Sequence, residues 1–363
     1  MADELSDETL QRMVSVVDPD WQLREATPVE RGFCRVSRLV VETPASTREC
    51  YLKAVPEGRD AGVAADARVS AVVREHTAAP VPEVYGVVDD HPDLPAPFFL
   101  MEAMPGDEVP YEQVGWVADD VLRTLARQLG ESLGELHRID AVESFGYVSY
   151  DESRELAGGR PSGTVDELRV RDGLDSWPAY LRARVDHELG RHAESGFSEL
   201  TPRLESWCED RIERIERLDG EFEPVLGRND HGFHNVLVDA GTGDLTALLD
   251  WAYTLAVTPA YDLQFAAYLF GGGFLAAIPE VEDRQELVRD ALLAGYRSTA
   301  PDLADAASTY RPLYELLATV RIMNDFEQLR PRLPEGTGEV VAKGLREDVE
   351  SLVDGDTREG YSR

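Results

Sequence analysis

The chain has 363 residues, 43% of them hydrophobic, enough to bury a sizeable core in one large domain or two lobes. It carries 70 acidic against 36 basic side chains, a net charge of −34 spread along its length and not gathered in a tail. Such a surface repels nucleic acid and anionic membranes, so neither is expected as a partner.

Cys34, Cys50 and Cys208 form no CxxC pair, which argues against a disulfide framework or a zinc site. The acidic opening MADELSDETLQRM lacks the apolar stretch of a signal peptide, and no apolar run reaches the length of a membrane span. A soluble cytoplasmic protein is expected; its oligomeric state is not legible.

In chain order, residues 5–18 read as a short helix and 21–56 as β-structure over WQLREATPVE, RVSRLVVET and ECYLKAV. Residues 61–77 read as a helix, 80–88 and 97–104 as two further strands, ending at the turn-rich MPGDEVP. Beyond it Leu122, Leu125, Leu129, Leu133 and Leu136 recur at helical spacing, so 117–138 is an amphipathic helix. Residues 151–165 read as a loop and 172–195 as helical. A second stripe, Leu204, Cys208, Ile212, Ile215 and Leu218, stops before Gly220. Further helices are expected at 260–269, 284–297, 303–330 and 337–353, with a frayed tail. The fold class is α+β: a small β-rich lobe, residues 1–104, and a large helical lobe, residues 105–363.

Between the last two groups of helices lies NDHGFHNVLVDAGTGDLTALLDW, residues 229–251. Two apolar runs flank the turn AGTGD, so a hairpin is expected. Asn235 opens its first strand and Asp250 closes its second, which places both at one end of the ribbon. Two hard oxygen ligands suit Mg²⁺, which keeps phosphates and waters as its other partners. Asp230, five residues before Asn235, supplies a second carboxylate that can orient and deprotonate an attacking hydroxyl. Asp and Asn are common at turns for backbone reasons alone. The weight lies in the combination of Asp–x4–Asn, an apolar hairpin and Asp–Trp.

Together with TPAYDL at 258–263, this stretch resembles the motif of the aminoglycoside phosphotransferase and choline kinase superfamily, which has the two-lobed protein-kinase-like fold. The resemblance implies Asp230 as catalytic base, Asn235 and Asp250 as Mg²⁺ ligands, and Asp262 as a supporting carboxylate. Two departures stand out. Arg228 occupies the family's usual histidine position, and the loop histidines are His231 and His234. Both are expected to hydrogen-bond within the loop and not to bind metal, with tuning of the base or contact with the acceptor as further roles.

The resemblance extends into the small lobe. YLKAV places Lys53 mid-strand, where the family needs a cation on the α- and β-phosphates. Lys53 and Lys343 are the only two lysines, so a lysine kept here points to a site that needs a compact ammonium. Asp66 in DARV is the expected acid that holds Lys53, with Glu75 as the fallback. Residues 30–41 would cover the phosphates through backbone amides around the single Gly32, with Arg35 and Ser37 nearby. PFFLMEAMPG resembles the family's hinge, where adenine pairs with backbone groups from Glu102 to Met104. In LGELHRID His137 is expected to pack. Asp262 and Asp325 are expected on or near the acceptor side.

These residues imply an ATP- and Mg²⁺-dependent phosphotransferase acting on a hydroxyl of an unidentified small molecule. A nucleotide-binding pseudokinase that regulates a partner is the alternative, supported by the altered loop. A protein kinase is weakened by missing GxGxxG, HRD, DFG and APE signatures. The acidic, arginine-rich composition also resembles that of salt-in halophiles, haloarchaea among them.

Overall fold

The computed structural model describes residues 5–29, 34–56, 62–217, 222–304 and 310–355. Gly32 lies outside them. Helix α1 (Asp7–Val17) starts at Ser6, whose hydroxyl accepts from the Thr9 amide at 3.2 Å. Strands β1 (Gln22–Val29), β2 (Arg35–Glu42) and β3 (Thr47–Ala54) follow, then helix α2 (Val63–His76), β4 (Val84–Val88) and β5 (Phe98–Glu102). They form one antiparallel five-stranded sheet, ordered β1-β2-β3-β5-β4. Leu10, Met13 and Val14 of α1 join Leu39, Cys50, Leu52 and Leu100 of the sheet in one apolar cluster.

Helix α2 covers the other face. Its sequence, VAADARVSAVVREH, has no polar stripe because it is buried nearly all round. Val63 and Ala67 pack on the sheet with Phe99, while Val69, Val72 and Val73 belong to the core of the helical region. Alternation along β3 puts Lys53 on the face that α2 covers, opposite Phe99 of β5.

The chain then makes β6 (Asp107–Glu108), α3 (Tyr111–Val114), α4 (Asp119–Leu136), β7 (Phe145–Tyr150), β8 (Leu168–Leu174), α5 (Trp177–His192) and α6 (Thr201–Glu216). Strands β9 (Val225–Gly227), β10 (Val236–Val238), β11 (Leu245–Leu248) and β12 (Leu255–Val257) precede α7 (Pro259–Phe270), α8 (Gln285–Thr299), α9 (Arg311–Asn324), α10 (Phe326–Leu329) and α11 (Gly338–Gly355). β6 pairs with the expected hairpin β10–β11, and β7, β8, β9 and β12 form a separate sheet.

Two expectations need correction, and a third gains a role. Residues 172–195 are not one helix: β8 continues to Leu174, and α5 begins only after Ser176, which caps it, with Pro178 in its first turn. Residues 303–330 are broken, since Tyr310 takes φ 54° before α9 and Asp325 takes φ −99°, ψ 7° after it. The segment 151–165 is irregular, but it also straps the two regions together. Ala157 bridges to Val88 on the free edge of β4, Val87 N–H donates to Gly159 O at 2.9 Å, and Gly158 N–H returns to Val87 O at 2.7 Å. Behind it the buried Arg68 donates two parallel hydrogen bonds to Asp89 and reaches the Arg154 carbonyl at 3.1 Å.

This strap depends on Gly158. It has φ 112°, and a Cβ there would stand 2.3 Å from the Val16 carbonyl oxygen. Gly158→Ala should therefore destabilise by about 1–3 kcal/mol. Gly190→Ala, at an exposed position in α5 with nothing within 4 Å, should stabilise by about 0.5–1 kcal/mol. Denaturant unfolding of both variants checks the pair. With −34 charges repelling one another, the melting temperature of the wild type should rise from dilute buffer to molar KCl, as calorimetry would show.

Candidate active site

The hairpin sets the site. Val236 pairs with Leu248, and Leu249 N–H donates to Asn235 O at 2.9 Å, so Asn235 and Asp250 end at one end of the ribbon. Asp250 takes the left-handed conformation, φ 59°, as do Asn229 (φ 71°) and Tyr253 (φ 60°). Such backbone is uncommon outside glycine and clusters where surrounding contacts enforce it.

Lys53 Nζ lies 2.6 Å from Asp66 Oδ2 and 2.9 Å from Asp250 Oδ1. Burial acts to lower its pKa, but Asp66 and Asp250 outweigh it, so the ammonium is held above its ordinary value. Asp66 Oδ1 accepts the Trp251 amide at 2.9 Å, which ties α2 to the residue after Asp250. Glu75, the fallback acid, is exposed further along α2 and has no bond to Lys53. Asn235 is 4% exposed, and its amide nitrogen has no hydrogen-bond partner among the described residues. Asp250 is the exposed member of this group, its side chain 45% accessible.

Asp230 stands on the loop before the hairpin. Its Oδ1 accepts the Gly232 amide at 3.2 Å, and its Oδ2 lies 3.5 Å from His234 Nε2. Burial acts to raise its pKa; His234, Arg321 and the Gly232 amide hold it well below the usual carboxylate range. It is therefore held as the carboxylate, a hydrogen-bond acceptor.

Beneath the loop sits Asp262, in the first turn of α7, wholly buried. It accepts the amides of Arg228 and Asn229, both at 3.1 Å, His231 Nε2 at 2.9 Å and His137 Nε2 at 3.2 Å. This corrects two expectations. Asp262 faces the loop's underside and not an acceptor surface, and His137 is a hydrogen-bonding residue, its other nitrogen 2.9 Å from Tyr296 Oη. Asp325 pairs with Arg191 at 2.5 Å and takes no part in the group around Asp230.

Arg228, in the family's histidine position, is a clamp. It donates to the carbonyls of Asp230 (2.9 Å), Asn235 (3.1 Å) and Leu249 (2.7 Å), with its guanidinium 4.8 Å above the Trp251 ring. Burial lowers its pKa to about 10, so it stays charged near neutral pH. Three residues were not legible in the sequence. Tyr111 Oη is 2.9 Å from His234 Nδ1, Arg321 donates to both Asn229 oxygens at 2.9 and 2.8 Å, and Asn229 Nδ2 donates to Tyr253 O at 2.9 Å. No short spacing connects 111 or 321 to the loop.

At the presumed hinge, the Glu102 side chain turns away to the Glu83 amide (3.1 Å) and Arg74 (3.6 Å). Met104 follows, half-buried, and its backbone amide makes no hydrogen bond among the described residues. Ser37 is buried on β2 opposite Leu52, and Arg35 lies opposite Ala54.

A β-sheet lobe with a lysine held by a helix carboxylate, set over a helical lobe carrying Asp230, Asn235 and Asp250, is the two-lobed protein-kinase-like fold. The sequence profile of the phosphotransferase enzyme family, APH, matches residues 27–331. The chain belongs to that family and is a phosphotransferase. Solved structures share its fold at low identity. A protein assigned as a fructosamine-3-kinase from Thermobifida fusca has 18% identity and a TM-score of 0.58, covering 96% of this chain and 100% of that one. The aminoglycoside phosphotransferase APH(4)-Ia, solved with ADP and hygromycin B, has 15% identity and a TM-score of 0.55 over 97% and 100%. The ethanolamine kinase of Plasmodium vivax has 12% identity and a TM-score of 0.55 over 96% and 88%. All three are small-molecule kinases by their descriptions.

Asp262 offers a test of how the loop is held. Its charge partners keep its pKa well below that of an unfolded aspartate, about 3.9. The stability it contributes is then full above that value and lost as pH falls through the native one. Asp262→Asn should lower the melting temperature at pH 6, and the gap to wild type should narrow below about pH 4. Thermal unfolding across that range checks it.

Proposed function

We propose that the protein is an ATP- and Mg²⁺-dependent phosphotransferase that moves the γ-phosphoryl group to a hydroxyl of a small molecule. The lobes are residues 1–104 and 105–363. The observation that carries this reading is Lys53, held between Asp66 of the small lobe and Asp250 of the hairpin. It presents one ammonium at the junction where nucleotide phosphates would sit.

Asn235 and Asp250 would hold Mg²⁺. The donor set suits it: one carboxylate, one amide, and room left for phosphate oxygens and water. The buried Asn235 Nδ2, without a partner among the described residues, is a donor that a phosphate oxygen would satisfy, which leaves Oδ1 to the ion. When bound, the ion would neutralise charge on the phosphates. Asp230, with one oxygen on the Gly232 amide and the other facing His234, would orient the acceptor hydroxyl and take its proton. Lys53 would position phosphates, and the backbone of Glu102–Met104 would pair with adenine. The free Met104 amide and the ADP held by APH(4)-Ia support nucleotide use here.

The pseudokinase alternative draws no support from Arg228, since that residue braces the loop carbonyls and leaves the Asp230 carboxylate available. The acidic surface and the near absence of lysine support a salt-rich cytoplasm as the setting.

Calorimetry with Mg·ATP in molar KCl tests the reading. Wild type should bind; Lys53→Ala and Asp250→Ala should lose about tenfold or more in affinity. Asp230→Asn should bind nearly as well while ADP release falls by about 10²–10⁴. A wild type that ignores Mg·ATP would end this proposal.

A further inference from the structure

We infer that His234 is a positioning residue for the Asp230 carboxylate, held in its Nε2–H tautomer by the Tyr111 hydroxyl. The inference rests on the phosphotransferase reading and assigns a role that the loop sequence leaves open.

The two loop histidines divide. His231 is buried and committed to Asp262. His234 stays about one-third accessible beside Asp230, which is equally open, 32% against 33%. Its ring meets two polar groups. Nε2 is 3.5 Å from Asp230 Oδ2, and Nδ1 is 2.9 Å from Tyr111 Oη.

Donor rules fix the direction. An ionised carboxylate only accepts, and a neutral imidazole has one donor and one acceptor nitrogen. In the neutral ring the hydrogen is then on Nε2, which faces Asp230 Oδ2, while Nδ1 accepts from Tyr111 O–H. Tyr111, half-buried, with desolvation holding its hydroxyl above the usual tyrosine range, remains the donor. The other oxygen of Asp230 takes the Gly232 amide at 3.2 Å. One carboxylate oxygen is thus held by an amide, and the other faces the His234 ring. The 3.5 Å contact is long, as catalytic contacts often are before substrate arrives.

The loop is shaped for this ring. A Cβ on Gly232 would stand 2.4 Å from His234 Cε1, 2.5 Å from Nδ1 and 2.8 Å from Tyr111 Oη. The Tyr111 and His234 rings lie 5.4 Å apart at 30°, and Tyr111 comes from α3, outside the loop. A solvated loop histidine would need neither the missing side chain at 232 nor a tyrosine from another element.

Steady-state ADP release with Mg·ATP in molar KCl, water serving as the surrogate acceptor, tests the role. His234→Ala should lower kcat by about 10- to 100-fold with KM for Mg·ATP unchanged. His234→Gln, whose amide supplies one donor and one acceptor, should recover most of that loss. Nitrogen NMR of the neutral ring should show the Nε2–H tautomer in wild type and a mixture in Tyr111→Phe. Unchanged kcat in His234→Ala, no recovery in His234→Gln, or an Nδ1–H tautomer would overturn the inference. If wild type neither binds nor hydrolyses Mg·ATP, the phosphotransferase reading falls and takes this role with it. Hydrolysis unmoved by His234→Ala overturns this inference alone.

Discussion

The carboxylate of Asp66 is the joint on which the site depends. One oxygen holds Lys53 and the other takes the Trp251 amide, so a helix of the sheet lobe grips both the lysine and the end of the hairpin. Removing such a charge pair from water costs several kcal/mol before any attraction is counted. Its worth is therefore positional. It places the ammonium within 2.9 Å of Asp250 before any ligand arrives, and a preset geometry is what phosphoryl transfer draws on most.

The loop with Asp230 is braced from two sides. From below, the Asp262 carboxylate collects two consecutive amides and two histidines, which satisfies a buried charge and fixes the loop's path. From the side, Arg228 ties three carbonyls of the loop and hairpin together. A histidine has two ring nitrogens and could not reach three carbonyls, whereas a guanidinium carries five N–H donors. The departure from the family pattern at 228 thus moves work from an imidazole to a fork. It adds rigidity where Asn229 and Asp250 hold left-handed backbone.

Much of this was legible in the sequence because hairpin pairing is local. Asn235 and Asp250 meet through registers that a reader can count, and Lys53 is conspicuous in a chain with only two lysines. The long amphipathic helix at α4 shows its stripe for the same reason. What failed lacked a local signal. Strands β9 and β12 have three residues each, too few to show alternation. The strap at 154–159 earns its structure from the edge of β4, some seventy positions away in the chain, and Tyr111 reaches His234 only through the folded arrangement. Asp262 was recognised as supporting, but its depth was not, since periodicity says nothing of which side of a loop a helix start will face.

The composition explains why the lysine is conspicuous. Arginine does nearly all the basic work here, in surface pairs with the abundant carboxylates. At position 53 the partners are different. Asp66 and Asp250 approach one buried atom from separate elements, at 2.6 and 2.9 Å, and the Asp250 side chain stays 45% accessible. A guanidinium would spread its donors over a plane, engage one carboxylate at two points and crowd the phosphate position. A single ammonium converges three hydrogens on a point and leaves the cleft open. The one buried lysine of an arginine-using protein is therefore best understood as a steric requirement of the site.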